Sequence, residues 1–198
     1  MSDVRCKSDV GFIMDSSGSV GTRWEDEKTF VKRIAQTINL SLDHGHGAVT
    51  VFSNDATLNI KFSDYYTYSD PSPAVDSFEE AVDTLSFLAG GTRIDRGLEV
   101  AYEQMFNETN GMRADATKYL ILITDGQQAG LDYADWGNRF SNANIRVIVI
   151  GVGLVNQDDL LNLVAVDSDL RLADNFDELL NDTFIGNVEL CDGRQSQK

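Results

Sequence analysis

The apolar positions of this chain change period several times between its ends, and that alternation sets the first expectation. Asp9-Val10-Gly11-Phe12-Ile13-Met14-Asp15 is short and mostly apolar, as a buried strand requires. After a Ser/Gly turn the period lengthens. Val31, Ile34, Ala35, Ile38 and Leu42 recur at steps of three and four, with Glu25, Glu27, Lys28, Lys32 and Arg33 on the polar positions. This predicts an amphipathic helix. Ala48–Phe52 reads as a second strand, and Ala56–Phe62 alternates with period two. Ser53-Asn54-Asp55 between them reads as a hairpin turn. Val75, Phe78, Val82 and Leu85 mark one further helix, and Ile94, Leu98, Ala101 and Met105 mark another.

The second half repeats the alternation. Tyr119–Asp125 and Ile145–Gly151 are almost continuously apolar, the mark of strands covered on both faces. Tyr133, Trp136 and Phe140 form a helical stripe between them, and Leu160, Leu161 and Val164 form another after them. A short strand at Leu170-Arg171-Leu172 and a last helix through Phe176, Leu179, Leu180 and Phe184 complete the pattern. The expected fold is α/β: a doubly wound, mainly parallel central sheet with one antiparallel edge strand and helices on both faces. Ligands of such sheets bind beyond the carboxyl ends of the strands, at the topological switch point. Chemistry is therefore expected just after Met14, Ile123 and Ile150.

The 198 residues suit one sizeable domain, with a core from about residue 6 to 191. Prolines occur only at 71 and 73, and no low-complexity tract suggests a linker. Charge narrows the function. With 16 basic and 32 acidic side chains, the net charge of −16 disfavours nucleic acid and anionic membrane surfaces. No apolar run approaches the roughly 20 residues of a spanning helix, so direct membrane insertion is not expected. Cys6 and Cys191 are either two free thiols or one disulfide joining the ends of the domain, which would persist outside the reducing cytosol. Sequons at Asn39, Asn107 and Asn181 are possible glycosylation sites. Together these features predict an extracellular or secreted chain, or the ectodomain of a larger protein.

The carboxyl ends carry the candidate chemistry. The first strand runs into Asp15-Ser16-Ser17-Gly18-Ser19, where Asp15, Ser17 and Ser19 can turn three oxygen side chains to one side of a tight loop. Thr124-Asp125-Gly126 brings a second carboxylate to the same edge. Ala89-Gly90-Gly91-Thr92-Arg93, just before a helix, offers the Thr92 hydroxyl from a loop whose glycines allow close approach. Two carboxylates and three hydroxyls form a hard, oxygen-only set suited to Mg²⁺ or Mn²⁺, with Ca²⁺ also possible. Two Asp charges balance +2, which leaves the ion electrophilic toward an outside carboxylate.

In these residues the chain resembles the von Willebrand factor type A domain, the module also found as the integrin inserted domain. The resemblance runs from Cys6 to about Cys191, and Asp15, Ser17, Ser19, Thr92 and Asp125 match its metal-ion-dependent adhesion site. It implies divalent-cation-dependent binding of matrix or cell-surface proteins through an acidic ligand residue. It further implies direct ligation by Ser17 and Ser19, ligation by Thr92 when ligand is bound, and contacts partly through water for Asp15 and Asp125. The last helix is the element that shifts in members that switch affinity.

Arg93 and Arg23 are expected to steer an acidic ligand toward the metal. His44 and His46, between glycines, read as an exposed turn. Catalysis is not expected. No phosphate-binding loop or nucleophile elbow is present, and Ser17 stands where an aspartyl-phosphate site wants a second Asp. The alternative to a metal-dependent adhesion module is a structural acidic matrix module that binds calcium, mineral or fibrous protein without using the metal site.

Overall fold

The computed structural model describes residues 7–38, 40–65, 71–126, 128–186, 188 and 190. Cys6, Cys191 and Asn39 lie outside these, so the disulfide and the first sequon do too. Strands β1 (Ser8–Asp15), β2 (Gly45–Phe52), β3 (Ala56–Ile60), β4 (Thr117–Thr124), β5 (Ile145–Val152) and β6 (Leu170–Ala173) form one sheet. Their order is β3-β2-β1-β4-β5-β6. All neighbours are parallel except β2 and β3, which form the expected hairpin at the sheet edge. Among the described residues no helix is long and apolar enough to cross a membrane.

Seven α-helices occur among the described residues: α1 (Trp24–Thr37), α2 (Pro71–Asp83), α3 (Ile94–Val100), α4 (Tyr133–Asn142), α5 (Gln157–Leu161), α6 (Phe176–Leu179) and α7 (Asp182–Gly186). Strand side chains alternate between faces and so divide the core in two. Phe12, Met14, Val49, Val51, Ile121, Ile123, Ile148 and Ile150 belong to one layer, with Phe30, Ile34, Phe78, Leu179 and Ile185 of α1, α2, α6 and α7. Ile13, Phe52, Leu120, Leu122, Val147 and Val149 belong to the other, with Leu98, Phe140 and Leu160 of α3, α4 and α5. At Gly97 an added Cβ would lie 2.8 Å from Ile13 Cγ2, so α3 rests directly on the sheet.

Register decides where chemistry can gather. Met14 lies opposite Val51 on one side and Ile123 on the other, so β1, β2 and β4 end level. The chain leaves β1 for β2 on one side and reaches β4 on the other, which makes this end of β1 the switch point.

Four local expectations are corrected. The first helix ends at Thr37, leaving Leu42 exposed beyond it while Leu40 is buried. Strand β2 starts at Gly45, so His46 is buried in the strand and not in an exposed turn. The helix predicted through Met105 changes at Ala101 into a π-helical turn, Ala101–Met105. The last helix is two short ones, because Asn181 accepts a hydrogen bond from Thr183 N–H at 2.8 Å and starts α7 anew.

Candidate metal centre

Asp15 closes β1 with its side chain fully buried. Its Oδ1 accepts from the Ser17 N–H at 2.9 Å, which folds the following loop back over the strand end. Its Oδ2 accepts from Thr124 Oγ1 at 2.6 Å, tying the ends of β1 and β4 together. Ser17 and Ser19 place their hydroxyl oxygens 3.0 Å apart, and Ser19 Oγ donates to Asp125 Oδ1 at 2.8 Å. Residues more than a hundred positions apart thus share one chain of oxygen contacts.

Thr92 joins them from the third loop. A Cβ at Gly126 would lie 3.4 Å from Thr92 Oγ1, so the hydroxyl sits against the turn that carries Asp125. Neighbouring loops hold this third one in place. Gly18 N–H donates to Gly90 O at 2.8 Å, Leu88 N–H to Ser16 Oγ at 2.7 Å, and Arg93 N–H to Ser53 O at 3.0 Å. Asn54 Oδ1 accepts from Gly91 N–H at 2.8 Å. Gly90 is required here, since an added Cβ would meet Ser53 Oγ at 2.2 Å. The structure therefore brings Asp15, Ser17, Ser19, Thr92 and Asp125 to one mouth at the switch point. Ser17 is buried, Thr92 and Asp125 are half-buried, and Ser19 is open to solvent.

Among the described residues no cationic side chain pairs with either carboxyl of this mouth. Burial pushes the Asp15 carboxyl above the usual range; the hydrogen bonds from Ser17 and Thr124 oppose this, and the Asp125 charge adds to it. Burial also raises Asp125, against the Ser19 hydrogen bond. The donor atoms are carboxylate and hydroxyl oxygens alone, which fits a hard divalent cation. Among the described residues no three Asp, Glu, His or Cys side chains converge closely enough to hold a metal, so the hydroxyls are needed to complete a site.

The two arginines are engaged within the chain. Arg93 forms a two-pronged pair with Asp95, at 2.8 and 2.6 Å. Arg23 pairs with Asp26 at 2.8 Å and with Asp177 of α6, and its guanidinium lies 5.9 Å from the centre of the Phe176 ring. A ligand carboxylate would have to compete with these partners. Of the described sequon residues, Asn107 is exposed and accepts from both the N–H and the hydroxyl of Thr109, while Asn181 caps α7.

Sequence reasoning missed one acid. Glu27, assigned to the polar positions of α1, is fully buried, and neither of its carboxyl oxygens has a hydrogen-bond partner. Its spacing was the available signal: three residues after Trp24 and four before Val31 put it on the buried stripe. Asn54 and Ser16, which brace the loops, carried no signal beyond a turn and a Ser-rich loop.

The family model of the von Willebrand factor type A domain matches residues 9–183. Similar proteins include human collagen alpha-5(VI) chain, 29% identical over 87% of this chain and 6% of that protein. Mouse integrin alpha-M is 30% identical over 74% of this chain and 12% of that protein. The chain thus spans a small part of these relatives. A likeness of fold extends to proximal thread matrix protein 1 from the mussel byssus, with a TM-score of 0.81 and 21% identity over 92% of this chain and 47% of that one. A second structure of the mussel protein, at 20% identity, is described with a zinc-occupied MIDAS motif, the metal-ion-dependent adhesion site. With a matching family model over most of its length, the chain belongs to the von Willebrand factor type A domain family.

Proposed function

We propose that this domain is a divalent-cation-dependent protein-binding module of adhesion or extracellular matrix, which engages an acidic side chain of its partner through the bound ion. The observation that carries the reading is the convergence of Asp15, Ser17, Ser19, Thr92 and Asp125 at one half-open mouth. Asp15 and Asp125 would balance the ion's charge, the hydroxyls would ligate it without adding charge, and an outside carboxylate would supply the remaining ligand. Mg²⁺ and Mn²⁺ suit such a donor set best. Zinc deserves titration as well, because the mussel protein of similar fold is described with it. The pocket is read as binding and not catalytic. An extracellular setting is supported by the collagen and integrin relatives.

Calorimetric titration of the metal-free domain with MgCl₂ and MnCl₂ tests the proposal. Uptake of one ion, abolished by Asp15→Ala, is the expected result; no uptake of either ion would sink it. The acidic-matrix reading, favoured by the net charge of −16, makes a different forecast. A collagenous or other matrix partner would stay bound under chelation and weaken steeply with salt.

A further inference from the structure

Asp125 stands in the loop after β4 and Thr92 in the loop before α3, so their separation depends on what joins those loops. One contact is steric: a Cβ at Gly126 would lie 3.2 Å from Thr92 Cγ2 and 3.4 Å from its hydroxyl oxygen. Another is a hydrogen bond. Gln128 Oε1 accepts from the Asp95 N–H, in the first turn of α3, at 3.0 Å. The main chain of Gln128 is fixed in turn. Its N–H donates to the Tyr133 hydroxyl at 3.1 Å, and that hydroxyl lies 3.5 Å from Gln128 O. Tyr133 is buried in the core layer of α3 and α4. The Asp95 carboxyl lies below its usual range, chiefly through its hydrogen bond with Arg93 and against the effect of burial; the Gln128 amide adds to the lowering. Arg93, which follows Thr92 directly, is thus part of the same polar unit as Gln128.

We propose that Gln128 is a positioning residue of the metal centre: by tying the start of α3 to the loop of Asp125, it sets the separation at which one ion reaches both the Thr92 hydroxyl and the Asp125 carboxylate. The inference rests on the cation reading of the mouth. A carboxylate attracts an ion from a distance, whereas an uncharged hydroxyl contributes only in contact. Mg²⁺ asks for near-octahedral oxygens at about 2.0–2.1 Å, so a small shift of a loop matters most for Thr92. The other braces of the Thr92 loop lead away from Asp125. Gly18 N–H reaches Gly90, Asn54 holds Gly91, and Arg93 N–H reaches Ser53, which ties the loop to the ends of β1 and β2. Gln128 supplies the tie on the β4 side.

The test uses the full chain in wild-type, Gln128→Met, Thr92→Val and doubly substituted forms. Mg²⁺ and Mn²⁺ affinities are measured by calorimetry with acetate present, so that a carboxylate can fill the open position, and melting in chelator confirms that each form folds. Gln128→Met keeps the side-chain length and removes the acceptor, so it should weaken both ions by about tenfold. In the Thr92→Val background the same change should cost no further affinity, because the hydroxyl that Gln128 places is already gone. Should Gln128→Met not fold, Gln128→Ala is read in the same way. Wild-type affinity in a folded Gln128 variant overturns the role of Gln128 while leaving the metal centre standing. So does an undiminished loss in the Thr92→Val background, which would mark a general loosening of the fold. A wild-type domain that takes up neither ion overturns the cation reading and this role with it.

Discussion

Strand β1 carries a buried aspartate at each end, and the two ends have opposite fates. At the amino end, Asp9 accepts from Arg113 Nε at 2.8 Å and from the Arg113 N–H at 2.6 Å. The same guanidinium donates to Ser8 O and His44 O, at 2.8 and 2.7 Å. Burial raises the Asp9 carboxyl, but the N–H and charge of Arg113 pull against it. At the carboxyl end, Asp15 is equally buried but receives only neutral donors and faces Asp125. Asp169 in the turn before β6 repeats the first pattern, held by Arg146 at 2.9 and 2.6 Å. The contrast separates a closed electrostatic unit, which joins strands, from an open one, whose carboxyls pair with no cationic side chain among the described residues.

Breaking the closed end should have the largest effect on folding. Asp9→Ala strands the Arg113 guanidinium, and Arg113→Met strands the Asp9 carboxyl. Each should cost about 3–5 kcal/mol in urea unfolding, as loss of one partner of a buried pair does. Neither should alter Mg²⁺ affinity, because the pair lies at the far end of the strand. If instead Asp9→Ala weakened the cation, the two ends would not be independent.

At the open end the main effect should be on linkage to the ion. A cation that binds only the folded domain, at a hundred times its Kd, should raise stability by about 2.7 kcal/mol. That gain should vanish in Asp15→Ala, beyond the cost of stranding the Ser17 N–H and Thr124 hydroxyl that shows in the metal-free form as well. Differential scanning calorimetry with and without MgCl₂ would show it.

His46, beside the closed end, gives a pH test. Burial first, and then the Arg113 charge, lower its pKa to about 4. Between that value and the ordinary one, the unfolded chain binds more protons than the folded one, so stability rises with pH. The contribution is complete above about pH 6.5 and is lost as pH falls toward 4. It is on the order of 3 kcal/mol at most, and His46→Gln should flatten that part of the urea-midpoint profile.

The smallest effect is expected at the rim. Arg93 is partly exposed and already paired with Asp95. Arg93→Glu should therefore change partner affinity by no more than about 1 kcal/mol and leave Mg²⁺ uptake intact. A larger loss in a surface-binding assay would make the arginine a principal ligand contact.

The arrangement of strands and helices was legible in the chain because burial imposes its own period on each element. Continuous apolar runs at β4 and β5 meant strands covered on both sides, and Ser53-Asn54-Asp55 marked the hairpin. The meeting of the five candidate oxygen donors was legible because each stands next to a strand end or helix start, where local pattern already fixes its place. Boundaries were read less well where a side chain of later sequence takes part, as in the π-helical turn after α3 and the break between α6 and α7.

Local sequence determined which segments are strands, which are helices, and which oxygen side chains reach the carboxyl edge, because backbone period and turn chemistry act over a few residues. Only the tertiary structure decided that Asp9 meets Arg113, 104 positions away, and that Arg23 is held by Asp177, 154 positions away. It also left the buried Glu27 carboxyl without a hydrogen-bond partner among the described residues. Charge pairing depends on where the folded path brings distant side chains and on how much water remains between them, and neither is encoded in spacing along the chain.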